Sequence, residues 1–359
     1  MAIFGGKRKK IGVDHHGMRT FTLPNRLLHT LKNAILVILL VLIAFAELAF
    51  GSVYVSLRDV WNSLTAQPMI NENLRMVVVS SRLPRALTAI FAGSSLALGG
   101  MLMQTLFRNP LAGPSVLGVS SGASLGVALL VLSGGIITAT HLTPAAIAIA
   151  AIAGALAVLL VISFAARRLS DNTTLLIFGV MLSFFTGAIV DALQFHSSNE
   201  SLRKYITWGM GSFSGTGLEE IAIMALAVIA GVFAILPLLR KLDIFLLGAS
   251  YAQSMGIDTR RMTLYLILIT GLLAGVATAY CGPVAFIGLA VPHLIRSWYR
   301  TMLHRKIAFA IGVAGAVTAM LCDLVSLLLN LPLNTVASAL GAPVVIWIII
   351  KGQRNNTIF

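Results

Sequence analysis

The stretch PAAIAIAAIAGALAVLLVISFA, residues 144–165, carries no charge and runs directly into Ala166, Arg167 and Arg168. At 1.5 Å per residue it makes roughly 33 Å of helix, enough to cross a hydrocarbon core of about 30 Å. Comparable apolar runs stand at 33–51, 84–106, 114–135, 174–194, 219–238, 263–281, 284–295, 307–330 and 334–350. The run 284–295 is the exception, because it gives only about 18 Å of helix. It reads as a half-helix, a re-entrant segment or a helix shielded inside a bundle.

Composition agrees with that pattern. Of 359 residues, 58% are hydrophobic and 11% charged, whereas a soluble domain carries about 25% charge. Water could not be the solvent for this surface. A soluble enzyme, a nucleic-acid binder and a disordered chain are excluded, and the lipid bilayer is the first partner. The formal net charge of +14 then belongs to basic loops rather than to nucleic-acid contacts. Cys281 and Cys322 lie in apolar stretches and read as small core residues.

Charge also orients the chain. With the N-terminus cytoplasmic and all ten runs crossing, 20 Lys and Arg fall inside and 6 outside. The six are Arg58, Arg75, Arg82, Arg85, Arg203 and Lys204. That asymmetry obeys the positive-inside rule. It requires 284–295 to return the chain to the cytoplasm, since otherwise the cluster from Arg296 to Lys306 falls outside. Both termini are then cytoplasmic in a multi-pass protein.

The expected organisation is a basic cytoplasmic tail over 1–32, a ten-span domain over 33–351 and a short cytoplasmic tail over 352–359. A signal peptide is disfavoured because the first apolar run is too long for its core. His15 and His16 read as solvated tail residues. Outer loops cover 52–81 and about 195–218, the second containing WGMGSF at 208–213. The connection at 239–262 contains RKLDIFLLGASYAQSMGIDTRR, in which Leu246, Leu247, Ala252 and Met255 are apolar. It reads as one or two short surface helices. An interfacial helix on lipid and a docking surface for a cytoplasmic partner both fit. Gly93, Gly99, Gly100, Gly122, Gly126, Gly154 and Gly187 sit inside spans, where small residues allow close helix approach.

No HExxH, paired CxxC, Walker A loop or GxSxG is present. Intramembrane carboxylates are few: Glu47, Asp191 and Asp323. Placing such a charge at mid-membrane costs at least about 2.5 kcal/mol. Glu47 and Asp191 are expected near outer span ends, where exposure relieves that cost, and Asp323 is expected to be deep. A chain that crosses lipid ten times without a catalytic group reads as a transporter using energy supplied elsewhere.

Four stretches carry a resemblance. SRLPRAL at 81–87 opens the second run. GMLMQ at 100–104, FRNPLAGP at 107–114 and LGVSSG at 117–122 follow it. GPVAFIGLAVPHLIR spans 282–296, and LGAPVVIW spans 340–347. Together they resemble the permease subunits of bacterial ABC importers for iron-siderophore complexes, haem and cobalamin. The resemblance runs from about residue 30 to the end.

It implies an all-α permease fold of about ten spans in the bacterial cytoplasmic membrane. The permease pairs with a second permease subunit, of the same or a sibling chain. It also implies two ATPase subunits below and one extracytoplasmic binding protein above. The chain itself would be no enzyme and would bind no cofactor or metal, with ATP and Mg on the partner ATPase. The connection 239–262 would enter a groove on that ATPase through Leu247, Gly248, Ala252, Met255 and Gly256. Ala252 and Gly256 keep the Ala-to-Gly spacing of the coupling motif, while Ser250 replaces an acidic residue that often precedes it. Arg82 and Arg85 match arginines that meet glutamates of the binding protein. They are three apart at a helix mouth and so share a face, although snorkelling to headgroups is the alternative. A further docking arginine has no counterpart in DLVSLLLN at 323–330. Asn172, Thr173 and Thr174 match the cytoplasmic gate, and Asn172 or Thr173 also suits an ordinary helix N-cap.

A ferric siderophore is the first expectation for the cargo, with haem or cobalamin as the alternative. Two other classes remain. An ion-gradient-driven secondary transporter would use broken helices such as 282–296, but it wants more buried carboxylates. A membrane scaffold would predict no uptake defect on deletion.

Overall fold

The computed structural model describes residues 25–354 apart from 52, 66, 68–71, 134–142 and 170. Most of the basic tail, including His15 and His16, and residues 355–359 lie outside the described residues. The ten apolar runs all become helices. Among the described residues, seven helices are long and apolar enough to cross a membrane: 27–49 within α1 (Asn25–Ala49), 72–106, α6 (Pro144–Arg168), α7 (Asn172–Phe195), 218–245, α12 (Thr259–Cys281) and α14 (His304–Leu329). The segment 72–106 comprises α3 (Glu72–Val77), a π-helical turn (Val78–Arg82) and α4 (Leu83–Leu106). The segment 218–245 comprises α9 (Leu218–Ile235), a 3-10 turn (Leu236–Leu238) and α10 (Leu239–Phe245). The three remaining runs give α5 (Val119–Leu132), α13 (Ile287–Tyr299) and α15 (Leu333–Arg354). Short helices α2 (Leu57–Leu64), α8 (Asn199–Gly209) and α11 (Ala249–Ser254) sit in the connections.

Local sequence sets where these helices begin. Ser56, Thr143, Asp171, Ser198 and Asp258 each stand just before a helix, and their side chains accept an N–H from its first turn. This satisfies a donor that the helix itself leaves open. The structural N-cap of α7 is therefore Asp171, not Asn172 or Thr173, which lie one and two residues inside the helix.

The core is built around α4, which is buried over most of its length and packs against α9, α12, α13 and α14. The pair α5 and α6 forms a second unit that meets α7 and α12, while α1 lies against α14. Glycines set the spacing. A Cβ on Gly93 would stand 2.3 Å from the Gly315 carbonyl oxygen, and one on Gly100 would stand 1.7 Å from that of Gly288. The backbones of α14 and α13 thus touch α4 directly. Gly187 is an exception among the glycines expected to pack, with nothing within 4 Å of a built Cβ. Gly100→Ala is expected to cost about 1–3 kcal/mol by overpacking, whereas Gly187→Ala stays within about 0.5 kcal/mol. Thermal unfolding of the two variants in one detergent makes the comparison.

The short run folds as a half-helix. Between α12 and α13 the chain leaves helical geometry, with φ of +72° at Gly282 and +65° at Phe286. Gly282 lies against the Trp208 carbonyl and Gly211, and the Asn334 side chain accepts the Ala285 N–H. Irregular backbone at this depth is tolerated because protein surrounds it. The far end of α13 returns to the start of α1, where Tyr299 donates to Asn33 at 2.6 Å. So α13 starts inside the bundle, with Gly288 against Gly100 of α4, and returns the chain to the end where α1 begins. One end gathers the start of α1, the α6–α7 turn, α10, α11 and the α13–α14 turn, and is called the basic end below. The opposite end holds the start of α4, α8 and the α14–α15 turn.

Candidate functional site

At the basic end the α4 terminus, the α6–α7 turn, the connection after α10 and the start of α12 enclose a cavity of about 350 Å³. Asn172 and Thr173 line it together with Arg108, Ala249, Ser250 and Arg260. The expected gate residues and the expected coupling segment, far apart in sequence, therefore face one space. Thr174 stands outside that lining; its hydroxyl and N–H both go to the Asp171 carboxylate. Those bonds hold the Asp171 carboxyl below its usual range, so the cap is complete at neutral pH and weakens as pH falls through the lowered value. The Asn172 amide donates to the Leu106 carbonyl at 2.9 Å, which ties the turn to the last residue of α4.

The connection 239–262 contains two short helices, α10 and α11, as its composition suggests. The expected coupling residues divide by role. Leu247 is 62% exposed and Met255 58%, while Ala252 is fully buried. Gly248 and Gly256 have φ of +112° and +81°, values that side-chain-bearing residues rarely adopt. The glycines shape the turns, Ala252 lets α11 lie close, and the bulky apolar residues face outward. Tyr251, also exposed, joins that face and carried no signal in the sequence beyond its place beside Ala252. Arg108 was legible as part of the FRNPLAGP stretch but without a role of its own; its guanidinium lies 3.5 Å from where a Gly248 Cβ would stand. Beside them Asp243 accepts the His304 N–H at 2.6 Å, the His304 ring at 3.0 Å and Arg305 Nε at 3.3 Å.

At the opposite end Arg82 and Arg85 part company. Arg82 is buried and turns toward the end of α1, donating to the Leu48 and Ala49 carbonyls at 2.8 Å and to Val53. It caps carbonyls that α1 leaves open. Arg85 makes a two-pronged pair with Asp323, Nε to Oδ2 at 2.5 Å and Nη2 to Oδ1 at 2.8 Å. Its side chain keeps 20% exposure, against 1% for Asp323. The shared face expected from their spacing is therefore not presented to a partner as two free guanidinium groups.

One buried carboxylate differs from expectation and a second agrees with it. Glu47 is 1% exposed despite its place near the end of α1, close to Asp323 and Arg85. Asp323 is buried as expected, 1% exposed and paired with Arg85, with Glu47 beside it. Asp191 is exposed, as its position suggests.

Comparison with known proteins places this geometry. Residues 37–351 match the FecCD transport family. The vitamin B12 import system permease protein BtuC of Salmonella typhi is 36% identical over 277 residues, covering 76% of this chain and 83% of its own. The BtuC of Salmonella newport (strain SL254) matches to the same extent. A solved structure described as an inward-facing conformation of a metal-chelate type ABC transporter superposes with a TM-score of 0.79. It is 26% identical and covers 90% of this chain and 99% of its own. PsaBC from Streptococcus pneumoniae, solved with a Fab, shares the fold at a TM-score of 0.53 and 16% identity, covering 80% of this chain and 94% of its own.

Proposed function

The chain belongs to the FecCD transport family and is an ABC importer permease, and from that premise we propose that it carries a metal chelate of the corrinoid class into the cell. The observation that carries the transport reading is the shared cavity. The turn at Asn172 and Thr173 and the coupling segment at Ala249 and Ser250 line one space, so movement of one changes the packing of the other. Cobalamin replaces the ferric siderophore as first cargo because the curated relatives are vitamin B12 permeases. The ferric siderophore stays second, on the likeness to a metal-chelate type transporter.

In this reading the basic end faces the cytoplasm, and both termini lie there. Leu247, Tyr251 and Met255 enter a groove on an ATPase, which holds ATP and Mg, while this chain binds no cofactor. A second permease subunit, identical or sibling, completes the path. A binding protein docks at the opposite end, where Arg85 is the arginine with a route to solvent and Arg82 holds the helix mouth. Asn172 and Thr173 close the path at the cytoplasmic end.

The test is uptake into vesicles holding the permease with its ATPase and binding protein. Labelled cobalamin accumulates with ATP and is insensitive to an uncoupler; a ferric siderophore accumulates less. Oxidising a Thr173→Cys dimer stops uptake and reduction restores it, with little background because Cys281 and Cys322 are buried. Uptake driven by an ion gradient without ATP would overturn the importer reading. Preference for the siderophore would overturn the cargo.

A further inference from the structure

Where α1 begins, α13 ends and α14 begins, the basic end carries a cluster that transport does not use. Lys32 Nζ donates to the Trp298 carbonyl at 2.7 Å. It also stands 5.7 Å from the Trp298 ring centre and 5.2 Å from that of Tyr299. The His29 ring stacks on Tyr299 at 5.3 Å, and its buried Nδ1 has no hydrogen-bond partner. His29 lies within electrostatic reach of Lys32 and Lys306. Arg300, which follows Tyr299, is exposed and holds a left-handed φ of +51°. Among the described residues no ion pair involves Lys32, Arg300 or Lys306. Asp243 of α10, which meets the start of α14, is engaged by His304 and Arg305.

Next to these cations the surface turns apolar. Leu28, Leu31, Ile35 and Ile38 of α1 are exposed, and Trp298 is 40% exposed. A bilayer boundary has this layering: cations and an indole at headgroup level, with Ile35 and Ile38 about one to two turns deeper along α1 than Lys32. We propose that Lys32, Arg300 and Lys306, with His29 and Trp298, form a binding site for the phosphodiester headgroup of an anionic phospholipid, whose acyl chains lie along α1. Charge complementarity selects the occupant. Three cations without carboxylate partners among the described residues meet a phosphate, and the apolar stripe beside them excludes a soluble acidic peptide from matching the whole surface. Basic pockets between helices at a membrane boundary take anionic headgroups in this way.

The test is native mass spectrometry of the full chain extracted from vesicles of equal phosphatidylglycerol and phosphatidylcholine. The wild type retains phosphatidylglycerol in preference to phosphatidylcholine. Arg300→Gln with Lys306→Gln leaves the Lys32 contact in place and lowers that preference on the order of tenfold. Lys306→Arg alone keeps it, and Arg167→Gln with Arg168→Gln does not change it. Equal retention of the two lipids, or an equal loss with the Arg167 and Arg168 variant, overturns the site. So does displacement by inorganic phosphate at matched concentration, which would assign the cluster to a soluble anion. If the Arg300 and Lys306 variant keeps its lipid but loses its ATPase, the surface is a protein interface and the lipid assignment fails. Lipid retention is read without transport, so its failure is distinguishable from failure of the importer reading.

Discussion

Arg85→Met lowers stability by about 3–5 kcal/mol, and Asp323→Leu lowers it by less. The asymmetry follows from what each change leaves behind. Without Arg85, Asp323 is a carboxylate 1% exposed beside a second carboxyl, Glu47, that is equally buried. Neither then has a cation, and uncompensated buried charge is the costly case. Without Asp323, Arg85 still has Glu47 in reach and an exposed fraction of its own. Combining Arg85→Met with Asp323→Leu and Glu47→Gln removes the whole group and returns stability to within about 1–2 kcal/mol of the wild type. The measurement is apparent Tm in one detergent, with a loss on the order of 5 °C for Arg85→Met. Equal losses for the two single variants, or none, would mean that the pair does not hold α4 to α14.

Leu247→Glu with Met255→Glu abolishes ATP-driven uptake while the protein remains inserted and folded. Both side chains are mostly exposed, so the intrinsic stability of the chain changes by less than about 1 kcal/mol. If this face enters an apolar groove of the ATPase as proposed, burying two carboxylates there costs the interface at least about 2 kcal/mol at each position, which is a loss of about 30-fold or more per site in affinity. Co-purification with the ATPase reads this directly. Ala252→Leu is the contrasting variant: Ala252 is fully buried, so it perturbs α11 itself. If the double glutamate variant retains its ATPase and full uptake, the exposed apolar face is lipid-facing instead. Gly256→Trp is a poorer probe, because φ of +81° strains any side chain there although nothing crowds the Cβ.

The apolar runs were legible because a lipid-spanning helix must satisfy its backbone internally, and length and hydropathy alone then mark it. Even the short run at 284–295 was readable as an exception. Its cause was not: the half-helix depends on Gly211 and Asn334, which are distant in sequence and meet the break only in the folded bundle. Side-chain direction was the second blind spot. Spacing puts Arg82 and Arg85 on one helix face, but the open carbonyls at the end of α1 draw Arg82 inward. Glu47 sits near a helix end, and linear position alone gave no hint that α4 and α14 would cover it. The turn at 172–174 and the connection at 239–262 were each legible as stretches matching a family, expected to serve as gate and coupling segment. Their common cavity was not, since no local pattern records that residues 172 and 250 line one space.

The helix α14 has a consequence for how force travels. It runs unbroken for 26 residues without an internal proline, a rod of about 39 Å. At one end its first residues, His304 and Arg305, are held by Asp243 of α10. At the other Asp323 holds Arg85. Sharp bends in helices need a proline, a bulge or an inserted group, and the backbone contact at Gly315 with Gly93 of α4 leaves little room for slippage. α14 is thus a strut with both ends clamped. A tilt imposed on α10 arrives at Arg85 as displacement, with no joint on the way to absorb it.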